Sequence, residues 1–572
     1  MNSKYQWRRI ETSADQLLEQ FCLDHKIPLS LMPLLQSKGI TVDTAETFLY
    51  GGMDRLHSPL LMKNMEKAVE RLVQAIEEEE RILFYGDYDV DGVSAVSMYI
   101  RFFKDVYPHY VYYLPDRYVE GYGLSELGVQ FAKEHGCGLI VTFDCGTTAV
   151  KEVEMAQHMG IDVIICDHHQ VTGDIPEAYA LLNPKQAGCT YPFKELSGAG
   201  VGYKLLQAFC DYMEVPEDHL YEQLDLLVLS IACDIVPMKG ENRILAREGL
   251  RQLRSTTKEG LIGLLKRVGK FQQSISISDL VFKIGPRLNA AGRMANATLS
   301  VSLLVTDEQQ EVSDILIELE WLNQQRKVEQ EAVEQEVFTL LKTAPDTRVF
   351  YNKNWHAAVL GIVASRCAEK VQEPVVLLTQ KEEVIIGSAR SANQINLYNI
   401  LQTCEGTLQQ FGGHAQAAGL QLAADHREVF EQCFMASLSI ERVHQTDRLT
   451  AQSLLLDLEL HLDEITLELY ELLEVLRPWG PEHKQAVFFS RGLTVSGEVR
   501  ILKERYMKFT VRQKGRLHRF EAVSYQANPD VLSFLKSGRE FDMAYSIQAY
   551  HYGPHRYFQL KVKDIRSTER VG

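Results

Sequence analysis

The chain has 572 residues, 45% of them hydrophobic and 24% charged, with a formal net charge of −17. That composition suits three or four globular domains of ordinary size and excludes a disordered tail or a disulfide-stapled mini-protein. No apolar run reaches the ~20 residues that span a bilayer, so no membrane partner is expected. The opening MNSKYQWRRIETSADQ lacks the apolar stretch of a signal peptide, and the ten cysteines form no CxxC pair. A cytoplasmic protein with reduced thiols is expected.

In chain order, residues 1–75 are expected to form an N-terminal helical segment. Residues 76–305 alternate short apolar runs (RILFYGD, HYVYYLPD, GLIVTFDCG, DVIICDHH, YALLNP) with amphipathic stretches. This alternation predicts an α/β lobe built on a doubly wound parallel sheet. Residues 306–345 hold a long polar stretch without Gly or Pro, a predicted connecting helix. Residues 346–450 return to strand and helix runs and predict a second, smaller α/β lobe. Residues 451–572 end in short β-rich runs at regular spacing, which predict a small barrel. The charge is uneven: Lys484 to Gly572 carries 17 Lys+Arg against 8 Asp+Glu, and the rest of the chain 43 against 69. Such asymmetry suggests that the C-terminal part faces an anion.

The chemistry concentrates where predicted strands end. FYGDYDVDGV places Asp87, Asp89 and Asp91 before Gly92, Asp144 follows GLIVTF, Asp167-His168-His169 follows DVIIC, and Asp234 ends the apolar run LDLLVLSIAC. One Asp after a strand is usually a cap or turn residue. The Asp-x-Asp-x-Asp-Gly string resembles the start of an EF-hand loop, but the later bidentate Glu is missing and strand-then-helix flanks do not fit. Several carboxylates gathered at strand ends would repel one another unless cations neutralise them. Carboxylates with a neutral imidazole suit Mn²⁺ or Mg²⁺ better than a structural Zn²⁺. Two such ions, about 3.5–4 Å apart, would activate water and stabilise the leaving oxygen of a phosphoryl displacement. Gly92 is expected to permit a tight turn.

DYDVDG followed by a strand-end Asp-His-His resembles the DHH phosphoesterase superfamily. LMPLLQSKGI, GPRLNAAGRM (285–294), GIVASR (361–366), GSARS (387–391) and FGGHAQAAG (411–419) extend the resemblance to the RecJ family of single-stranded-DNA exonucleases, through about residue 480. It implies DHH, DHHA1 and OB-fold domains and a metal-dependent enzyme. The implied reaction is 5′-to-3′ degradation of single-stranded DNA to 5′-mononucleotides, in DNA repair and recombination. It implies metal ligation by Asp87, Asp89, Asp91, Asp144, His168 and Asp234, with Asp144 bridging two ions. Asp167 would orient the histidines, and His169 would serve the scissile phosphate as hydrogen-bond donor or general acid. A monomer is expected, with single-strand-binding protein and a RecQ-type helicase as partners.

Substrate contacts are expected from Arg117, Arg287, Asn289, Arg293, Ser388, Arg390, Gly413 and His414. Arg117 pairing with Glu120 and a purely structural role for 285–294 stay open as alternatives. The thirteen Phe and Tyr from Phe488 onward are read mainly as barrel core, with the basic surface doing the binding. Three departures stand out: Ala358 where the family usually has Gly, the turn Pro481–Gln485, and an end soon after one barrel, so that a further domain of longer relatives is expected to be missing. The competing readings are a phosphodiesterase of short oligonucleotides or cyclic dinucleotides, a pyrophosphatase, and a non-catalytic single-strand binder.

Overall fold

The computed structural model describes residues 5–568 except 172, 393–394, 446–452, 504–505, 526–527 and 553–554. The first lobe carries five parallel strands, β1 (Arg81–Gly86), β2 (Tyr110–Tyr113), β3 (Cys137–Phe143), β4 (Asp162–Cys166) and β5 (Ala180–Leu182), in the order β2-β1-β3-β4-β5. It is the doubly wound sheet expected from the sequence. Alternate residues of β1 feed opposite cores. Ile82 and Phe84 pack with Tyr99 and Phe103 of helix α1 (Val90–Val106), while Leu83 and Tyr85 pack with Val129, Ala132 and Val153 on the other face. The chain leaves β1 to the left and β3 to the right, so the switch point lies between them, at their C-terminal ends.

Asp89 is the N-cap of α1, its side chain accepting from the Asp91 N–H at 2.8 Å. Gly92 sits inside α1 and makes no turn. A Cβ there would lie 2.4 Å from the Asp87 nitrogen, so the missing side chain serves close packing of helix on strand end. Helices α2 (Gly198–Met213) and α3 (Leu224–Cys233) complete the core behind the sheet.

Helix α4 (Gly285–Met294) leads to the connecting helix α5 (Gln309–Thr343), which buries Ile315, Leu319, Leu322 and Arg326 at helical spacing. The second lobe has a mixed sheet: β6 (Val349–Tyr351), β7 (Val375–Lys381), β8 (Val384–Arg390), β9 (Gln410–Gly413) and β10 (Ala417–Ala423), ordered β9-β10-β8-β7-β6 and backed by helix α6 (Ala357–Val371).

The barrel closes through β11 (Phe488–Val495), β12 (Tyr506–Gln513), β13 (Arg519–Ser524), β14 (Phe541–Tyr552) and β15 (His555–Ser567), with β11 pairing both β14 and β12. Helix α7 (Pro529–Lys536) bridges β13 and β14 in the OB manner. The N-terminal residues join this body. Leu18, Leu34 and Leu49 share a core with Leu469, Phe488 and Phe541, and Gln6–Arg9 pairs in parallel with Ser453–Leu456. Arg243 of the first lobe locks the joint. Its guanidinium donates to the carbonyls of Phe48, Val475 and Arg477 at 2.6–3.0 Å and stacks over the Phe48 ring. Among the described residues, no helix is long and apolar enough to cross a membrane.

Candidate metal centre and interlobe cleft

Three neighbouring strands deliver the acidic residues to one edge of the sheet. Asp87 follows β1, Asp144 follows β3 and Asp167 follows β4, while Asp234 arrives as the C-cap of α3. Asp144 adopts a left-handed backbone (φ +60°), an uncommon conformation for a side-chain-bearing residue. Gly198 makes room for it: a Cβ there would come within 2.5 Å of the Asp144 Cβ. Ligand atoms lie within 4.8 Å of one another in three overlapping sets: Asp87, Asp89 and Asp144; Asp91, His168 and Asp234; Asp144, His168 and His169. His168 Nε2 is 3.2 Å from Asp144 Oδ1 and 3.5 Å from Asp234 Oδ2.

Four of these atoms are buried without a hydrogen-bond partner: Asp87 Oδ1, Asp144 Oδ1, His168 Nε2 and Asp234 Oδ2. Burial, and then the mutual repulsion of the aspartates, drives Asp87, Asp144 and Asp234 well above the ordinary carboxylate range and raises Asp89. Burial pushes His168 down, toward the neutral imidazole that ligates metals. A protein does not leave acceptors clustered and unpaired in its interior unless something else satisfies them. Hard oxygens with one imidazole nitrogen fit divalent Mn or Mg.

Asp91 differs. Its oxygens accept from the N–H groups of Gly198 and Ala199 and from the Ser230 hydroxyl, each at 2.7 Å. The carboxylate thereby ties α1 to the N-terminus of α2 and to α3. Asp167 also has protein partners. Its Oδ1 faces His169 Nδ1 at 2.7 Å and accepts from the His168 and His169 N–H groups, and its Oδ2 accepts from Thr147. Burial opposes this charge, but the bonds from His169 and Thr147 outweigh it and hold Asp167 below its usual pKa. At His169 burial is outweighed by the bond to Asp167 together with the charges of Asp167, Asp91 and Asp89, which raise it.

Residues outside the sequence expectation support the histidines. Asn183 donates to the His169 carbonyl at 2.9 Å and to Thr147 Oγ1 at 3.1 Å. The Tyr122 hydroxyl donates to the Asp144 carbonyl at 2.8 Å and lies 3.0 Å from His169 Nδ1. The available signals were an Asn directly after strand YALL and a tyrosine between two glycines in EGYG.

The two lobes meet beside this edge. The Tyr118 hydroxyl donates to the Arg293 carbonyl, Lys381 Nζ donates to the Tyr118 carbonyl, and Arg293 Nη1 donates to the Ala358 carbonyl. The Ala358 methyl is buried in the interlobe core, filling space a glycine would leave open. Arg117 does not pair with Glu120, which instead accepts from Tyr113, Ser125 and the Asp116 N–H. Arg117 lies over the Tyr88 ring at 5.0 Å. Burial, then the charges of Arg117 and Arg326, push Arg293 down to about 10, and burial plus Arg117 lowers Arg390. Among the described residues, Arg390 Nη1 donates to neutral acceptors, Ser388 Oγ and the Ala389 carbonyl, each at 2.8 Å. Arg117 thus lies near enough to both Arg293 and Arg390 to disfavour their charge.

Asn289 Oδ1 accepts from the Val90 N–H at 3.1 Å and so holds the start of α1. Arg287 pairs with Glu320 of α5 and the Lys283 carbonyl, an arrangement that ties the lobe connection together. Gly413, with φ +141°, turns the chain between β9 and β10. The exposed His414 follows it, one strand removed from Ser388 and Arg390.

On the barrel, Phe488, Phe489, Phe509, Phe541 and Tyr545 are buried in the core. Tyr525, Tyr550 and Tyr557 are exposed instead. Tyr550 sits opposite Tyr557 across the β14–β15 ladder, Lys561 follows on the same face as Tyr557 and covers the Tyr525 ring at 4.6 Å, and Tyr506 meets Tyr525 edge-on at 5.3 Å. The aromatics therefore contribute a surface as well as a core.

Comparison with known proteins gives matches to three family models: the DHH family N-terminal domain at residues 81–231, the DHHA1 domain at 346–436 and the RecJ OB domain at 456–564. The single-stranded-DNA-specific exonuclease RecJ of Bacillus subtilis is 35% identical over 489 residues, spanning 84% of this chain and 60% of that protein. The protein of the same name from Escherichia coli is 32% identical over 528 residues, 88% of this chain and 90% of that one. The crystal structure of RecJ from Thermus thermophilus in complex with Mn²⁺ superimposes with a TM-score of 0.82 at 25% identity, covering 99% of this chain and 80% of that one.

Proposed function

This chain belongs to the RecJ family of single-stranded-DNA-specific exonucleases, and on that premise we propose that it is itself a metal-dependent exonuclease of single-stranded DNA. The observation that carries the proposal is the set of four buried, unpartnered ligand atoms at the switch point of the sheet. In this reading Asp87, Asp89, Asp144, His168 and Asp234 would hold two Mn²⁺ or Mg²⁺ ions, Asp144 being common to two of the ligand sets. Asp91 serves chiefly as the brace behind them, since its oxygens already have donors. Bound metal supplies an activated water and neutralises charge on the phosphate.

The chain's own groups do the rest. Asp167 fixes the His169 ring, which stands at the mouth of the site to donate a hydrogen bond or proton to the scissile phosphate. Arg117, Arg293 and Arg390, with Ser388 and His414, face the DNA backbone, for guanidinium forks match phosphate oxygens. Asn289 and Arg287 act at one remove, by placing α1 and the lobe connection. The barrel's tyrosine and lysine face stacks and steers the incoming strand. That long approach surface favours long strands over two- to four-nucleotide fragments. We extend the reading to 5′-to-3′ polarity and release of 5′-mononucleotides by a cytoplasmic monomer.

The test is digestion of long DNA labelled at the 5′ or the 3′ end, single-stranded or duplex, with Mn²⁺. The reading expects early release of a labelled mononucleotide from the 5′-labelled single strand alone. Cleavage restricted to very short oligomers would replace it with an oligonucleotide phosphodiesterase, and binding without cleavage would leave a strand-binding protein.

A further inference from the structure

The proposed chemistry gives His169 a role but leaves its ring held by Asp167 from one side only. The loop 121–123 supplies a second contact. Gly121 and Gly123 have φ of +84° and +104°, and a Cβ on either would meet nothing within 4 Å. These glycines therefore serve backbone conformation and not space: they direct the chain back over the strand ends. The Tyr85 hydroxyl pins the loop by donating to the Gly123 carbonyl at 2.7 Å. Between the glycines, Tyr122 places its hydroxyl 2.8 Å from the Asp144 carbonyl, 3.0 Å from His169 Nδ1 and 3.3 Å from Nε2. The two rings meet edge to face at 5.3 Å. Tyr122 nevertheless remains 52% exposed, so this is not a core tyrosine that happens to find an acceptor.

We propose that Tyr122 is a positioning residue for the exonuclease reaction: its O–H donates to the Asp144 carbonyl, its oxygen accepts a share of the His169 Nδ1–H that Asp167 also holds, and it so fixes the ring plane in which His169 meets the scissile phosphate. The proposal rests on the functional reading above. It predicts that Tyr122 acts through His169, and hence on turnover, whereas a structural residue acts through folding and a simple strand-binding residue acts on KM.

The experiment compares Tyr122→Phe, His169→Ala and the double variant on a long single strand with Mn²⁺, alongside thermal melts with and without Mn²⁺. Tyr122→Phe is expected to lower kcat about tenfold, the cost of one lost hydrogen bond near reacting atoms. KM and the Mn²⁺-induced rise in Tm should be unchanged. His169→Ala should lower kcat by roughly 10²-fold or more, and the double variant should be no slower than His169→Ala, because the hydroxyl then has no ring to hold. A wild-type kcat in Tyr122→Phe, or a full tenfold loss added on top of His169→Ala, overturns the positioning role while the exonuclease reading stands. A wild-type rate in His169→Ala overturns the functional reading of His169 itself and the positioning role with it.

Discussion

Two kinds of buried charge coexist in the first lobe. In one kind, every charge has its partner within the protein. Lys204 donates to the His57 carbonyl, Gln207 and Glu241, and Glu241 in turn accepts from Tyr191 and the His57 N–H. Lys258 and Thr256 likewise saturate Asp225. In the other kind, at the strand ends, carboxylates face carboxylates and four ligand atoms have no partner. Asp87, Asp144 and His168 are buried, as Lys204, Glu241 and Asp225 are, so burial alone does not separate structure from function. The distinction lies in whether the charges cancel. A cancelled cluster braces the fold, and an uncancelled one is built to be completed by a cation.

That contrast can be broken by one substitution in each cluster. Asp144→Ala is expected to reduce cleavage by about 10³-fold or more, since it removes the shared ligand. Strand affinity should stay within a few-fold, and the metal-free protein should melt no lower, because a repulsive charge has gone. Steady-state rates, filter binding and calorimetry check the three parts. Asp225→Ala should do the reverse: it strands Lys258 in the interior and costs about 3–5 kcal/mol in denaturant unfolding, while kcat per folded molecule holds. If Asp225→Ala silences the enzyme without destabilising it, the contrast fails.

At the joint around Arg243 the fold takes a third course and keeps a buried histidine neutral. Burial pushes His483 down to about 4, although its bond to the Leu476 carbonyl at 2.8 Å favours the proton. The unfolded chain binds that proton more readily, near pH 6.5. The contribution to stability is therefore complete above pH 6.5 and is lost as pH falls toward 4, by about 3 kcal/mol in all. Unfolding of wild type and His483→Gln at pH 7 and pH 4.5 should converge at the acid end, and parallel curves would reject this sign. The smallest effect is expected on the barrel. Tyr525→Ala should weaken binding of a long single strand about tenfold, equivalent to one lost base stack, and leave Mn²⁺ uptake unchanged. Gel-shift titrations read this directly.

The legible and illegible parts of the molecule follow the same divide. Asp87, Asp144 and Asp167 could be placed from the sequence because each directly follows an apolar strand, and parallel strands bring their C-terminal ends together. The doubly wound sheet, the long helix and the barrel followed from periodicity alone. The partners of Asp91 were not legible, since its oxygens are satisfied by backbone N–H groups more than 100 residues away, and backbone donors leave no trace in a sequence. Gly92 was misread as a turn for a related reason: close packing and a tight turn both call for glycine. The N-terminal helices gave no sign that their core is shared with a barrel over 400 residues distant. Tyr122 and Asn183 were missed because each is placed by a bond to a main-chain carbonyl, which leaves no trace in a sequence.

The central claim is that the strand-end cluster is completed by two divalent cations. Titration of the metal-free chain with MnCl₂ by calorimetry tests it most directly, with Asp144→Ala beside it. Two ions bound per wild-type chain, accompanied by a rise in Tm and lost in the variant, is the predicted result. No uptake by the wild type, or equal uptake by the variant, would contradict the account.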